Sequence, residues 1–306
     1  MANLPLLRFK TISQYHLHMG LPKPEHPLIS VINFENVKQV RDRGPQNYVL
    51  DFYSIALKRN VNIRFRYGQQ EYDFNEGVLF FIAPDQVYGV EAYKEEEPKR
   101  SGWMLLIHPD FLWNTPLART IRQYEYFGYS VNEALFLSPR EESTLITLMQ
   151  SIGQEYVGNP DNFSQPVMIA QLELLLIYAE RFYHRQFLTR KIANHQILSR
   201  LEEILTTHFN SDAVENNGLP TVQCIADSLH VSPNYLSGLL KVLTGQSTQQ
   251  HIHNKVIEKA KEKLSTTNLS VSEIAYELGF EHPQSFSKLF KTKTNQSPLE
   301  FRQLFT

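Results

Sequence analysis

Hydrophobic positions recur every three or four residues through the last third of the chain, which predicts a series of amphipathic helices. Two stretches, 221–247 and 270–297, repeat one arrangement of apolar, small and polar positions. Thr221 and Ser270 open the two copies and lie 49 residues apart, whereas Lys241 and Lys291 lie 50 apart. The change in offset predicts one additional residue in the turn of the second copy.

Each copy has the pattern of a helix-turn-helix unit. In the first copy, Thr221 and Ser232 are the predicted N-caps of two helices. Pro233 follows at the first helical position, where the missing N–H of proline is tolerated. Gly245 is predicted to end the second helix in the left-handed conformation, and Asn295 to take its place in the second copy.

The second helix of each unit has polar, small or cationic residues on its predicted outward face. Such side chains suit a helix in the major groove of DNA, where they reach base edges and phosphates. The predicted DNA-binding residues of the first recognition helix are Asn234, Tyr235, Ser237, Gly238 and Lys241. Those of the second are Gln284, Ser285, Ser287, Lys288, Lys291 and Lys293. We expect more base discrimination from the first copy and more phosphate anchoring from the second.

One long helix, 248–264, is predicted between the units. An apolar stripe at every fourth position indicates its buried face (Ile252, Val256, Ala260, Leu264). A neighbouring lysine stripe suits either phosphate contact or simple solvation (Lys255, Lys259, Lys263). Two units joined in this way can reach successive major grooves, roughly 34 Å apart on one face of the duplex.

The first half of the chain has a different pattern. Short segments rich in Val, Ile, Phe and Tyr are predicted strands at 29–34, 48–57, 61–67, 78–83, 86–91 and 102–107. Many short strands separated by close turns are typical of a sandwich or a small barrel. Residues before Ser30 are predicted to be irregular, with His16 and His18 on one side of a strand.

Two helices, 141–157 and 166–187, are predicted between the strands and the duplicated units. The apolar face of the second is unusually wide, which indicates burial on two sides. Packing against a second subunit or against another part of the same chain would each bury the second side.

The charge, the cysteine content and the lengths of the apolar runs limit the possible functions and location of the protein. The net charge is −2, and residues 190–306 carry 12 basic against 11 acidic side chains, so a strongly basic DNA-binding footprint is absent. The single cysteine, Cys224, fits a reducing compartment and is predicted to be a small buried residue. No apolar run has the length of a membrane span and no signal peptide is recognisable, so a cytoplasmic protein is expected.

Enzymatic chemistry has little support in the residues. The strand-rich region offers only His108 as a histidine ligand, and it precedes a predicted turn at Pro109. No triad order, phosphate-binding glycine loop or zinc-protease motif is visible. We therefore predict no catalytic residues, no metal and no cofactor.

The residues of the duplicated region resemble the AraC/XylS family of bacterial transcription regulators over about 197–304. The stretches that carry the resemblance are Tyr235–Lys241 with Gly245, Ile274–Phe280, Phe286–Lys291 and Ser297–Arg302. Two positions depart from the family pattern, since Lys255 stands where arginine is common and Asn295 where glycine is common. Lysine cannot make the bidentate contacts of arginine.

The resemblance implies an α+β chain in three parts. These are a cupin-like sensor barrel over 1–137, a helical dimerisation and linker region over 138–190, and an all-α DNA-binding domain over 191–306. The implied function is a sequence-specific, ligand-responsive transcriptional activator that binds double-stranded DNA as a homodimer. A small-molecule effector in the barrel and RNA polymerase are the other implied partners. Two alternatives are a cupin-class enzyme with an appended DNA-binding unit and a regulator controlled by a protein partner.

Overall fold

The computed structural model describes residues 6–36, 46–59, 65–67, 70–72, 77–90, 101–129, 133–158, 161–189, 191–210, 214 and 218–304. The chain divides into two compact units, Met1–Gln186 and Phe187–Thr306. The first unit combines sheets with helices and the second is helical, so the mixed fold class is confirmed. None of the helices in these ranges combines the length and apolar character needed to cross a lipid bilayer.

The first unit contains short strands at most of the predicted places. They are β1 Leu6–Phe9, β2 Ile29–Asn33, β3 Gln46–Leu50, β4 Tyr53–Arg59, β5 Phe65–Tyr67, β6 Gln70–Tyr72, β7 Val78–Ile82, β8 Val87–Val90, β9 Ser101–Ile107 and β10 Leu135–Phe136. Most of the predicted alternation at 61–67 falls outside the described residues.

Three sheets are formed by these strands. The largest has the order β10-β7-β4-β9-β2 and is antiparallel throughout. The second has the order β1-β3-β8, with β1 parallel to β3, and β5 pairs with β6 in a separate hairpin. Within the described residues the sheets do not close on one another, so the predicted cupin-like barrel is not confirmed.

The predicted strand at 48–57 is two strands in different sheets. The chain leaves β3 at Leu50 and enters β4 at Tyr53. Asp51 holds the corner, because its backbone N–H donates to the carbonyl of Phe9 and its carboxylate lies 2.6 Å from the guanidinium of Arg8. A run of β-forming apolar residues predicts an extended segment, but it does not predict where the chain passes from one sheet to another.

The segment before Ser30 was predicted to be irregular, and this was wrong. It contains β1 and helix α1, Ile12–Met19, so His16 and His18 lie on a helix instead of a strand. His16 is buried, with its ring nitrogens 2.6 Å from the carbonyl of Pro22 and 3.0 Å from the hydroxyl of Ser30. Burial lowers the pKa of His16, so its neutral form is favoured.

Helices cover the larger sheet. A short helix α2, Leu117–Thr120, and 3₁₀ turns at Phe34–Asn36, Pro109–Leu112, Ile121–Gln123 and Glu125–Gly128 accompany the strands. Helix α3, Pro139–Val157, packs on β2 and β9, where Gly153 lies against Val31. Most residues of the central strands β4 and β7 are buried, so both faces of the sheet are covered there.

Helix α4, Ser164–Thr189, has two apolar faces, as the sequence predicted. One face is buried in the first unit and contains Leu172, Leu175, Leu176, Ala179 and Tyr183. The ring of Tyr183 stacks on Tyr126 at 5.5 Å, and the Tyr126 hydroxyl donates to the carbonyl of Leu176. The other face, with Val167, Leu174 and Ile177, is exposed.

The second unit is a set of short helices around one long one. The helices are α5 Lys191–Asn210, α6 Val222–Leu229, α7 Pro233–Thr244, α8 Thr248–Thr266, α9 Val271–Glu277, α10 Pro283–Thr294 and α11 Pro298–Arg302. Helix α8 contacts α5, α7, α9, α10 and α11. The predicted stripe of Ile252, Val256, Ala260 and Leu264 is buried to at least 98 %, which confirms its place in the core.

Candidate nucleic-acid interface

The two predicted helix-turn-helix units are α6–α7 and α9–α10, and their turns have matching geometry. The backbone N–H of Val231 donates to Ala226 in the first turn, and that of Phe280 donates to Ala275 in the second, each at 3.0 Å. His230 and Gly279 occupy the equivalent left-handed positions, with φ of 58° and 83°. Sequence reasoning missed the positive φ at His230.

The ends of the recognition helices α7 and α10 follow from local chemistry. Ser232 accepts from the N–H of Tyr235 at the start of α7, whereas His282 precedes α10 without a side-chain cap. Gly245 and Asn295 end the two helices in the left-handed region, with φ of 73° and 60°. Both predicted stops are therefore confirmed. Three residues separate Leu229 from Pro233 and four separate the equivalent Leu278 from Pro283, as the repeat offset predicted, and α9 itself ends one residue before Leu278.

An apolar face fixes each recognition helix to the domain. Leu236, Leu239 and Leu240 are fully buried on α7. On α10, Phe286 and Phe290 are fully buried, with ring centroids 5.9 Å apart, and Phe290 meets Phe301 of α11 at 5.5 Å. These contacts hold the apolar faces of α7 and α10 against the rest of the domain.

On α7, two of the five predicted DNA-binding residues are exposed. Asn234 lies at the second helical position and Lys241 three residues before the end, and both reach solvent. Ser237 is half-buried, and its hydroxyl lies 3.1 Å from that of Thr248 at the start of α8. Ser237 therefore also ties α7 to the connecting helix.

The prediction that Tyr235 and Gly238 face outward was wrong. Tyr235 is 3 % exposed, and its ring meets that of Phe187 edge-on at 5.2 Å. Gly238 is buried as well. Phe187, the first residue of the second unit, is itself covered, and its carbonyl accepts from the amide of Asn194. Phe187, which lies far earlier in the chain, thus covers α7 at Tyr235.

The corresponding side of α10 is open. Gln284, Ser285, Lys288, Lys291 and Lys293 are exposed, and Ser287 is half-buried. Lys293 differs from the other lysines, since its ammonium lies 3.2 Å from the side-chain oxygen of Asn254 on α8. The structure therefore directs Lys293 toward the connecting helix.

The lysine stripe of α8 is paired with acidic residues. Lys255 lies 2.9 Å from Glu258, Lys259 lies 2.9 Å from Glu262, and Lys263 lies 2.6 Å from Glu277. The hydrogen bond and positive charge of Lys259 lower the pKa of Glu262 below its ordinary value. Of the two predicted roles, solvation and ion pairing fit these contacts better than phosphate binding.

Two further features bear on chemistry. Cys224 was predicted to be buried, but it is exposed in the first turn of α6, where its N–H donates to Thr221. Val222 and Ile225 lie close to it in sequence, yet its own position falls on the exposed side of the helix beside Gln223. The described residues contain no group of three or more His, Cys, Asp or Glu side chains that could hold a metal ion.

Comparison with known proteins agrees with this geometry. Residues 225–304 match a family described as a helix-turn-helix domain. The chain is 31 % identical over 260 residues to the uncharacterized HTH-type transcriptional regulator YfiF of Bacillus subtilis, covering 83 % of this chain and 77 % of that protein. It is 30 % identical to the HTH-type transcriptional activator RhaS of Escherichia coli, covering 83 % and 86 %. The chain belongs to the AraC/XylS family of transcriptional regulators.

A solved structure is also similar in sequence to part of this AraC/XylS-family regulator. The C-terminal domain of AraT, a response regulator from Geobacillus stearothermophilus, is 31 % identical and has a TM-score of 0.31. The match covers 35 % of this chain and 84 % of that one. The alignments with YfiF and RhaS each cover 83 % of the chain and therefore extend into both units.

Gly279 should be indispensable to the second turn. A Cβ at this position would lie 2.8 Å from backbone atoms of Gly218 and Leu219, and the φ of 83° is unfavourable for other residues. We expect Gly279→Ala to destabilise the protein by about 2–4 kcal/mol. His230→Ala, at the equivalent exposed position, should change stability by no more than about 0.5 kcal/mol. Urea unfolding followed by circular dichroism measures both, and equal losses would contradict this account.

Proposed function

We propose that this DNA-binding transcriptional regulator inserts α7 and α10 into successive major grooves of its target site. The observation that carries the proposal is the tandem arrangement, in which two equivalent helices that each carry exposed polar residues are joined through α8, whose apolar stripe is buried. Recognition helices of such units contact bases with their N-terminal residues. Asn234 and Gln284 are exposed one residue after Pro233 and Pro283, so they are the proposed base-reading residues.

Phosphate contact is assigned to other residues of the same faces. Lys241, Lys288 and Lys291 lie on the side of α7 or α10 that carries Asn234 or Gln284, and Ser237, Ser285 and Ser287 flank them. Tyr235 and Gly238 are left out, because both are buried. The lysine content of α10 supports the view that the second unit supplies more of the non-specific affinity.

The remaining parts of the proposal concern the first unit. We assign effector sensing to residues 1–137, dimer contact to 138–190 and DNA binding to 191–306, in a cytoplasmic activator that acts on RNA polymerase. The alignment with the activator RhaS covers 83 % of the chain and therefore extends into the first unit, which supports this division. A small molecule is the proposed effector.

The exposed face of α4 supports a homodimer. Val167, Ala170, Leu174 and Ile177 of α4, together with Phe163 directly before the helix, are all exposed and follow each other at alternating steps of four and three residues. This spacing averages 3.5 residues and is the pattern of a coiled-coil seam. Leu174 is 44 % and Ile177 is 54 % exposed in the single chain, and burying them against the same face of a second copy removes that apolar surface from water.

Base reading is tested by changing one amide in each unit. Side-chain amides pair with adenine in the major groove, and one such contact is worth about 1–3 kcal/mol of discrimination. We expect Asn234→Ala and Gln284→Ala each to relax the preference at a different base pair, in different halves of the site. Selection from random DNA followed by sequencing measures this. Recovery of the unaltered motif with either variant would exclude that residue from base reading.

Phosphate contact is tested by the salt dependence of binding. Lys288→Ala and Lys291→Ala should each weaken binding to every DNA sequence and lower the slope of log K against log salt by about one. Lys259→Ala is the matched control, because this lysine is already paired with Glu262, and it should leave the slope unchanged. Fluorescence anisotropy at several salt concentrations gives the slopes. A slope that stays at the wild-type value in Lys288→Ala and Lys291→Ala would contradict the assignment.

The dimer is tested by placing a charge in the seam. Leu174→Glu and Ile177→Glu should convert the protein to monomers, since a buried unpaired carboxylate opposes association. Leu17→Glu, on the 83 % exposed Leu17 of α1, is the control and should leave the dimer intact. Sedimentation equilibrium distinguishes the two states. A wild-type protein that sediments as a monomer, or seam variants that remain dimeric, would refute this interface.

A further inference from the structure

A short polar chain links the two helix-turn-helix units across α8. The ammonium of Lys293, near the end of α10, donates to the side-chain oxygen of Asn254 at 3.2 Å. The side-chain nitrogen of Asn254 donates in turn to the side-chain oxygen of Gln246 at 2.8 Å. Gln246 follows directly after Gly245, which ends α7. The chain therefore runs from the end of one recognition helix to the end of the other.

Gln246, at one end of this series of hydrogen bonds, is held in place by its neighbours. The backbone N–H of Gln246 donates to the hydroxyl of Thr244, which also donates to the carbonyl of Leu240. The same hydroxyl lies 2.9 Å from the ring of His251 on α8. Gln246 thus presents its side chain to Asn254 from a fixed backbone.

Lys293 is oriented away from the proposed DNA-binding face of α10. Successive residues of an α-helix are about 100° apart around the axis. Lys291 and Lys288 are therefore within about 40° of Gln284, whereas Lys293 is about 180° away from it. Lys293 points toward α8. Burial is the larger cause of the lowered pKa of His253 on that helix, and the positive charge of Lys293 lowers this pKa further.

The duplication supports a special role for this lysine. At the offset of 50 residues, the counterpart of Lys293 in the first unit is the half-buried Leu243. Gln246 and Gln296 are equivalent, but the counterpart of Asn254 is Leu304, beyond the end of α11. The three residues therefore meet where the units face each other, and the repeated scaffold does not require them.

We propose that Gln246, Asn254 and Lys293 form a polar clasp that fixes the angle between α7 and α10 and thereby sets the spacing of the two half-sites. The clasp rests on the proposed function, since half-site spacing has meaning only if both helices read DNA. Its members are positioning residues, and neither Asn254 nor Lys293 need touch DNA. Loss of the clasp should widen the range of accepted spacings while leaving contacts within each half-site intact.

The relative position of the two helix-turn-helix units can be measured without DNA. The chain has one cysteine, Cys224, which is exposed in the first unit, and Ser272→Cys adds a second label site on α9 in the second unit. Pulsed electron–electron double resonance between spin labels at these two sites gives a distance distribution for the full-length protein. In that background we expect Asn254→Ala and Lys293→Met to broaden the distribution. Lys291→Met, an exposed lysine outside the clasp, should leave it unchanged.

Binding to DNA sites of altered spacing completes the test. Inserting one base pair between the half-sites rotates one against the other by about 35°. We expect the unaltered protein to lose affinity for this site relative to the selected one. Because a single hydrogen bond changes an equilibrium by about 2- to 10-fold, the penalty should shrink by a similar factor in Asn254→Ala and Lys293→Met. The salt slope should stay at the value of the unaltered protein in both.

The outcomes separate the clasp from the function on which it rests. Unchanged distance distributions and an unchanged spacing penalty in both variants would overturn the clasp. A salt slope lowered by about one in Lys293→Met, with Asn254→Ala behaving as the unaltered protein, would instead make Lys293 a phosphate contact. A protein that selects no DNA motif would refute the proposed function, whereas broadened distributions would still support the mechanical role of the clasp.

Discussion

Burial of α8 is the interaction on which the DNA-binding unit depends. Its apolar stripe is removed from water by helices on either side, and each fully buried aliphatic side chain contributes roughly 1.5–3 kcal/mol. Both helix-turn-helix units pack on this helix, α7 before it in the chain and α9 and α10 after it. Any change in the packing of α8 therefore affects both recognition helices together. This is why the hydrogen bonds that join Gln246, Asn254 and Lys293 can influence the angle between α7 and α10.

The two units show how one scaffold carries two surfaces. Their caps, turns and buried leucine or phenylalanine positions correspond, since these features make the helices and hold them to α8. Their outward sides have diverged. The side of α7 at Tyr235 is covered by Phe187, whereas the same side of α10 exposes Ser285 and Lys288. The second unit therefore offers a wider polar face than the first.

Helix α4 illustrates a related constraint in the first unit. A helix with two apolar faces is stabilised by burying both, and the single chain covers one of them. The stacking of Tyr183 on Tyr126 and the packed leucines account for the covered face. The seam of Val167, Leu174 and Ile177 has the spacing of a helix partner, and this is the basis for proposing a second copy.

Local chemistry in the sequence determined most of the second unit. Caps such as Ser232 and stops such as Gly245 and Asn295 bond within three to five residues, so their residue types alone locate helix ends. The repeat offset determined the longer second turn, and apolar spacing determined the stripe of α8. The candidate base-reading positions Asn234 and Gln284 followed from the same patterns.

Tertiary structure decided what distant residues do to those faces. Tyr235 has the spacing of an outward position, but Phe187 of an earlier helix lies against it. Lys293 resembles its neighbouring lysines in sequence, yet Asn254 engages it from another helix. The switch of sheets at Asp51 likewise depends on Phe9 and Arg8, which are remote in sequence. Periodicity specifies which side chains share a face, whereas only the folded chain specifies what lies against that face.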